Sequence, residues 1–205
     1  MTRLILVRHG ESEANALKIF TGQLDYDLSE KGKEQAKMAA SYLVTHEVID
    51  HIYASDLIRA VHTADPTAAM LDLSVHTDSR LREVDLGDWS GTPLLGKEDS
   101  DPETFRLRKE DPSHVRYPNG EYMPEFYDRV IACITEIAEK YPDQTVMIAT
   151  HGGAIRAFSA FAAGYSREEM ACFSDPISNA SIHIFEWNSG KATPVVANFT
   201  DHLTK

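Results

Sequence analysis

Two short runs in this chain are apolar at every position: Leu4-Ile5-Leu6-Val7 and Val146-Met147-Ile148-Ala149. An unbroken run of that length predicts a strand buried on both faces, as in a parallel sheet. Strands are predicted at 3–7, 49–54 and 145–150, with a further, outer one at 75–81. Two late strands, 181–187 and 193–199, flank the turn Asn188-Ser189-Gly190. Between these segments the apolar positions repeat at helical spacing. Ala36, Ala39, Ala40, Leu43 and Val44 share one face of a helix predicted over 29–48, opened by Ser29. Asp56 is the expected N-cap of the next helix, which runs to about Leu71 and contains Pro66, a candidate kink. Phe126, Val130, Ile134, Ile137 and Ala138 mark the apolar side of a helix over 123–141, and small residues build another over 153–163. Alternating strands and helices predict an α/β fold, a three-layer sandwich with a mostly parallel central sheet flanked by helices.

Residues 90–122 break the pattern with Pro93, Pro102, Pro112, Pro118 and many charges, leaving room for a short helix at 103–110. So long an irregular stretch within a compact domain is expected to serve as a lid or pocket wall. The length of 205 residues suits a single domain spanning 1–205.

The net charge of −12 argues against a nucleic-acid partner, since a phosphate backbone needs a basic face. It leaves a small anionic substrate open, because the field in a pocket depends on local arginines. Cys133 and Cys172 form no CxxC pair and suggest no zinc site; Cys133 falls in an apolar helical pattern and reads as a buried thiol. Met1-Thr2-Arg3 leads directly into a strand without a signal-peptide pattern, and no apolar run nears the roughly 20 residues that span a bilayer. The expectation is a soluble, cytoplasmic chain that avoids membranes. An edge strand among the late segments could pair across a homodimer.

Chemistry enters at the strand ends. The first apolar run is followed by Arg8-His9-Gly10 and the second, after Thr150, by His151-Gly152. In α/β sheets the carboxyl ends of strands are where ligands bind. Two such histidines with arginines nearby point to phosphoryl chemistry, with histidine as a nucleophile rather than a metal ligand.

Longer blocks carry a family resemblance. They run from Arg8-His9-Gly10-Glu11-Ser12-Glu13-Ala14-Asn15 through Phe20-Thr21-Gly22 and Asp25-Tyr26-Asp27-Leu28-Ser29. They continue at Ser55-Asp56-Leu57-Ile58-Arg59-Ala60, Leu81-Arg82-Glu83 and Gly87-Asp88-Trp89-Ser90-Gly91, and close at Thr150-His151-Gly152-Gly153 and Asn179-Ala180-Ser181. In this order the blocks resemble the signature of the histidine phosphatase superfamily, which includes the cofactor-dependent phosphoglycerate mutases. The resemblance implies His9 as nucleophile and Glu83 as general acid and base. It implies Arg8 and Arg59 as a phosphate clamp, with Asn15 and His151 adding hydrogen bonds. It also places Thr21 and Gly22 at the substrate's non-phosphate end and Gly152 beside the phosphate. Arginine suits the clamp because its planar fork binds phosphate oxygens bidentately and stays charged. No metal and no cofactor are required on this reading. Burial would raise the Glu83 pKa and the arginines would lower it. Asp85 and Asp88 read either as loop charges or as an alternative acid. Trp89 reads as packing or as a substrate contact at the site mouth. Glu11 and Glu13 are expected to cap or line the loop. His46, His51, His62, His76, His114, His183 and His202 show no ligand spacing.

Within the family, mutases carry Arg-x-Tyr-Gly after the acid, whereas Glu83 precedes Val84-Asp85-Leu86-Gly87 here. Mutases also carry an adjacent arginine pair in a longer insertion, and here Leu107 separates Arg106 from Arg108. The segment 87–91 is similar instead to the small phosphatase branch. That branch has Gly-Glu-Ser before the long helix, and this chain has Gly120-Glu121-Tyr122. The expected activity is hydrolysis of a small phosphomonoester. The alternatives are a phosphoglycerate mutase and a catalytically idle binder of a phospho-ligand or protein.

Overall fold

The computed structural model describes residues 1–204. The chain runs β1 (Thr2–Arg8), α1 (Glu13–Leu17), α2 (Glu30–His46), β2 (His51–Ala54), α3 (Ile58–Leu71) and β3 (Val75–Thr77). It continues through α4 (Lys97–Ser100), α5 (Pro102–Glu110), α6 (Met123–Lys140), β4 (Thr145–Thr150), α7 (Gly152–Ala162), β5 (Ile182–Asn188) and β6 (Lys191–Phe199). One six-stranded sheet has the order β3-β2-β4-β1-β5-β6. The first four strands in that order are parallel, and β5 and β6 are antiparallel to their neighbours. The sheet is therefore mixed, with its parallel part at the site.

The unbroken apolar runs serve both faces, as their alternation requires. Leu4, Leu6, Val146 and Ile148 pack against α6 and α7, with Phe126, Val130, Ile134 and Phe158 in the same cluster. Ile5, Val7, Met147 and Ala149 point the other way, toward Leu43 of α2 and Ala64 and Ala68 of α3. Full burial of each large aliphatic side chain contributes about 1.5–3 kcal/mol. Helix α2 follows β1 and lies on one face; α7 follows β4 and lies on the other. Adjacent strands whose helices leave to opposite sides open a crevice at their carboxyl ends. The register pairs Arg8 with Thr150, so His9 and His151 emerge side by side.

Several predicted boundaries shift. Ser29 caps α2 as expected, its Oγ accepting from Gly32 N at 3.1 Å. Asp56 does not cap α3. Leu57 holds the N-cap position without a side-chain bond, and Asp25 Oδ1 from a distant loop accepts from Ile58 N at 2.7 Å. The Asp56 carboxylate is held instead by the Arg82 fork at 2.7 and 2.6 Å. Pro66 lies inside α3 without ending it. The outer strand stops at Thr77, short of the expected Leu81, because Asp78 accepts from Arg80 N at 2.8 Å and starts a 3-10 turn over Ser79–Leu81. Thr150 Oγ1 donates to Leu81 O at 2.7 Å, drawing that turn back to the sheet end.

Residues 90–122 hold α4 and α5 and share a small third core with residues outside the segment. Phe20, Leu86, Trp89, Val115 and Tyr117 pack together, and Trp89 Nε1 donates to Asp101 Oδ2 at 2.8 Å. Trp89 is 1% exposed, so the packing reading holds. On the opposite side, Gly32 meets the loop after His9. A Cβ on Gly32 would lie 2.0 Å from Glu11 O, so only glycine permits this approach. Among the described residues no helix is long and apolar enough to cross a membrane.

Candidate active site

A cavity of about 360 Å³ opens at the carboxyl ends of β1 and β4. Arg8, His9, Asn15, Thr21, Gly22, Arg59 and Glu83 all line it, as do Tyr117, Arg108 and Gly153. Five chain regions thus converge on one space, bringing together most of the sequence-predicted residues. Neither Asp85 nor Asp88 lines the cavity. Asp85 Oδ1 accepts from Gly87 N at 2.9 Å, and Asp88 Oδ2 accepts from Asn119 Nδ2 at 2.9 Å.

His9 is 5% exposed and fixed through its ring. Its Nδ1–H donates to Gly10 O at 2.7 Å, since a carbonyl can only accept. The lone pair of the neutral ring therefore resides on Nε2. Gly10 N donates to Thr63 Oγ1, which donates to Arg59 O, linking the His9 loop to α3. His151 is wholly buried, its ring centroid 5.2 Å from that of His9. Neither ring nitrogen of His151 has a hydrogen-bond partner, and the same is true of Arg8 Nε and Arg59 Nε. Buried polar groups are normally satisfied; a neutral His151 supplies one donor and one acceptor, so with the two arginine Nε–H groups three open donors call for an acceptor-rich guest. The fork tips of Arg59 are anchored on Gly22 O and Leu24 O, and Arg8 Nη1 on Ile177 O. Asn15 Oδ1 accepts from Ser12 N and Asn179 Nδ2, which leaves its own NH₂ free to donate.

Glu83 is held by its carboxylate. Oε1 accepts from Val84 N and Oε2 from Gly153 N, both at 3.0 Å. Gly152 does not line the cavity; it packs against Arg8 and leaves the wall to Gly153. A Cβ on Gly153 would lie 2.1 Å from Glu83 Oε1 and 3.2 Å from Phe126 Cζ. Gly153→Ala is expected to displace the carboxyl and cost roughly 10²-fold in kcat, with about 1–3 kcal/mol of stability. Steady-state kinetics beside a thermal melt check this; wild-type kcat in the variant would contradict it.

The profile of the histidine phosphatase superfamily (branch 1) matches residues 4–200. The chain belongs to the histidine phosphatase superfamily. This histidine phosphatase is 36% identical over 203 residues to phosphoserine phosphatase 1 of Hydrogenobacter thermophilus, covering 99% of this chain and 95% of that protein. It is 34% identical to phosphoglycerate mutase-like protein 4 of Arabidopsis thaliana, over 98% of this chain and 86% of that one. Its fold is similar to that of a mycobacterial glucosyl-3-phosphoglycerate phosphatase, with a TM-score of 0.87 at 31% identity over 97% and 99% of the two chains.

Two supporting residues of this histidine phosphatase were given no role in the sequence reading. Arg129 of α6 donates to Arg80 O, Arg82 O and Glu83 O at 2.8–2.9 Å and clamps both oxygens of Glu121. In sequence it is one cation on an amphipathic helix. Asn179 Nδ2 donates to His9 O and Asn15 Oδ1, although its block was visible only through the family likeness.

Charge in the site is biased against protonated histidine. Burial, then Arg59 and Arg8, hold the His9 pKa well below the ordinary range. Burial and Arg59 do the same for His151. Burial also pushes Arg59 down to about 10, which leaves it a cation at neutral pH. Outside the site, burial brings His183 to about 4. Above pH ~6.5 neither the folded nor the unfolded chain protonates these three histidines. Below it the unfolded chain binds protons that the folded one refuses. Stability should therefore fall with acidification, by about 1.4 kcal/mol per pH unit for each histidine, until its folded pKa is reached. Melting temperatures from about pH 7.5 to about 5 should decline below pH ~6.5, whereas a flat profile would contradict the assignment.

Proposed function

We propose that the protein is a phosphomonoesterase that passes a phosphoryl group first to His9 and then to water. The observation that carries this reading is His9 itself. Its proton is pinned on Gly10 O and its Nε2 lone pair belongs to a residue lining the cavity between Arg8 and Arg59. Phosphoryl transfer is catalysed mostly by positioning and by stabilising charge on the equatorial oxygens. Arg8, Arg59, Asn15 and His151 offer the donors for those oxygens. His9 Nε2 attacks phosphorus, the phosphorus–alkoxide bond breaks, and the alkoxide takes a proton from Glu83. Glu83 then accepts a proton from water, which attacks phosphorus. The phosphorus–nitrogen bond breaks, returning the electron pair to Nε2 and releasing phosphate. Residues 90–122 form the outer wall of the site through Leu94, Arg108 and Tyr117.

Relatives named as phosphoserine and glucosyl-3-phosphoglycerate phosphatases support hydrolysis over transfer between positions of a phosphoglycerate. The apolar Val84 at the cavity wall agrees with that choice. The test is aryl phosphate hydrolysis in a chelator, with rapid quenching into alkali. Expected are metal-independent turnover and an acid-labile, alkali-stable phosphoryl group on His9. Transfer without net phosphate release, dependent on a bisphosphate primer, would establish a mutase instead.

A further inference from the structure

Asn198, near the end of β6, is half-buried and holds a left-handed backbone conformation at φ +46°. It sits where β6 carries an extra residue. Ile182 pairs with Phe199 and Ile184 with Val196, so two steps on β5 face three on β6. A bulge of this kind turns a side chain out of the strand's alternation. Asparagine tolerates the left-handed region, but glycine does so at no steric cost, so the conformation alone does not call for this side chain.

The bulge aims the Asn198 carboxamide at the loop that enters β5. Its Oδ1 accepts from Ser178 N at 2.7 Å, and its Nδ2 donates to Ser178 Oγ at 3.4 Å. The Asn198 backbone N–H donates to Nδ1 of the buried His183. The bond to Ser178 N matters because of what holds the other side of the same peptide. There Ile177 O accepts from Arg8 Nη1 at 2.6 Å. Among the described residues that is the one hydrogen bond of the Arg8 guanidinium, whose Nε has no partner. Arg59, by contrast, is tied to two carbonyls. A peptide unit is planar and stiff, so holding the Ser178 N–H also holds the Ile177 C=O. Hydrogen bonds at the two sides of one peptide polarise and strengthen each other. One chain of bonded groups thus runs from the bulge to the phosphate clamp.

We propose that Asn198 is a positioning residue for the reaction and sets the orientation of Arg8 through the peptide between Ile177 and Ser178. Asn198 does not itself line the cavity. The proposal rests on the phosphatase reading above, in which Arg8 grips the transferring phosphoryl group. A guanidinium held by one carbonyl loses alignment when that carbonyl is free to tilt. Misaligned donors lose most where charge develops in the transition state. The expected defect is therefore in transition-state affinity, with the fold intact.

The experiment titrates orthovanadate, a mimic of phosphorus in transfer, beside aryl phosphate hydrolysis and a thermal melt. Asn198→Gly suits the backbone of the bulge and removes only the carboxamide, so it should melt within about 4 °C of the wild type. It should bind vanadate roughly tenfold more weakly and lose about as much in kcat/KM. Asn198→Asp keeps an acceptor on a residue that tolerates this conformation, and should recover vanadate affinity to within about threefold of the wild type. In an Arg8→Ala background the glycine substitution should cost less than about twofold, because the group it positions is gone. A fold-wide defect would cost the same in both backgrounds, so this comparison decides even if the glycine variant melts early. Wild-type vanadate affinity in Asn198→Gly, no recovery in Asn198→Asp, or an equal loss in both backgrounds overturns the proposal and leaves the phosphatase reading intact. A wild type inert toward aryl phosphate overturns that reading instead, and the vanadate series, which needs no turnover, still decides the role of Asn198.

Discussion

Replacing His9 with alanine is expected to lower kcat for phosphomonoester hydrolysis roughly 10⁴-fold or more, since removing a nucleophile cancels the chemistry its partners assist. The expected loss is in turnover and not in affinity. Arg8, Arg59 and Asn15 do not depend on the His9 ring for their anchoring on Ile177, Gly22, Leu24, Ser12 and Asn179. Inorganic phosphate should therefore still bind His9→Ala within about tenfold of the wild type. Loss of phosphate binding together with turnover would mean that His9 holds the site's structure and that the nucleophile lies elsewhere. Stopped-time hydrolysis assays and phosphate titration separate the two outcomes.

The second large effect is expected at Arg129, which does not itself line the cavity. Its guanidinium joins three backbone carbonyls of residues 80–83 to the Glu121 carboxylate, and the two side chains are 20% and 16% exposed. Arg129→Met leaves Glu121 without its cation and three carbonyls without a donor. Removing one partner of such a shielded pair costs about 3–5 kcal/mol. Kinetics should suffer too, because Glu83 O hangs from the same fork and from Gln23 Nε2. Arg129→Lys should rescue little, since an ammonium cannot span both the carboxylate and the carbonyls. Chemical denaturation of both variants measures the stability loss; a cost under about 1 kcal/mol would reduce Arg129 to an ordinary surface cation.

Much of this architecture was legible because burial writes itself into local pattern. Leu4–Val7 and Val146–Ala149 could be apolar at every position only if helices covered both faces, and the structure has α2 and α3 on one side, α6 and α7 on the other. The strand-tip histidines followed from those runs. Glu83 was not readable from local pattern, since a glutamate after a marginal strand is ordinary; only the ordered family blocks singled it out. Contacts made across the chain were hidden altogether. Asp25 capping α3 from 33 residues away displaced Asp56, which looked like the cap because it was adjacent in sequence. Arg129 likewise acts 46 residues from Glu83, through backbone carbonyls that have no sequence signature.

The close approach of Gly32 to Glu11 O has a consequence for how this enzyme can diverge. That seam leaves no room for a side chain, so the rim formed by the His9 loop and α2 cannot drift without unseating the nucleophile. The opposite rim, made by α5 and its flanking turns, is seated on its own small core and contributes exposed side chains. New substrate preferences should therefore accumulate along residues 90–122. Lineages or selection libraries descended from this chain should vary there while the glycine seam stays fixed.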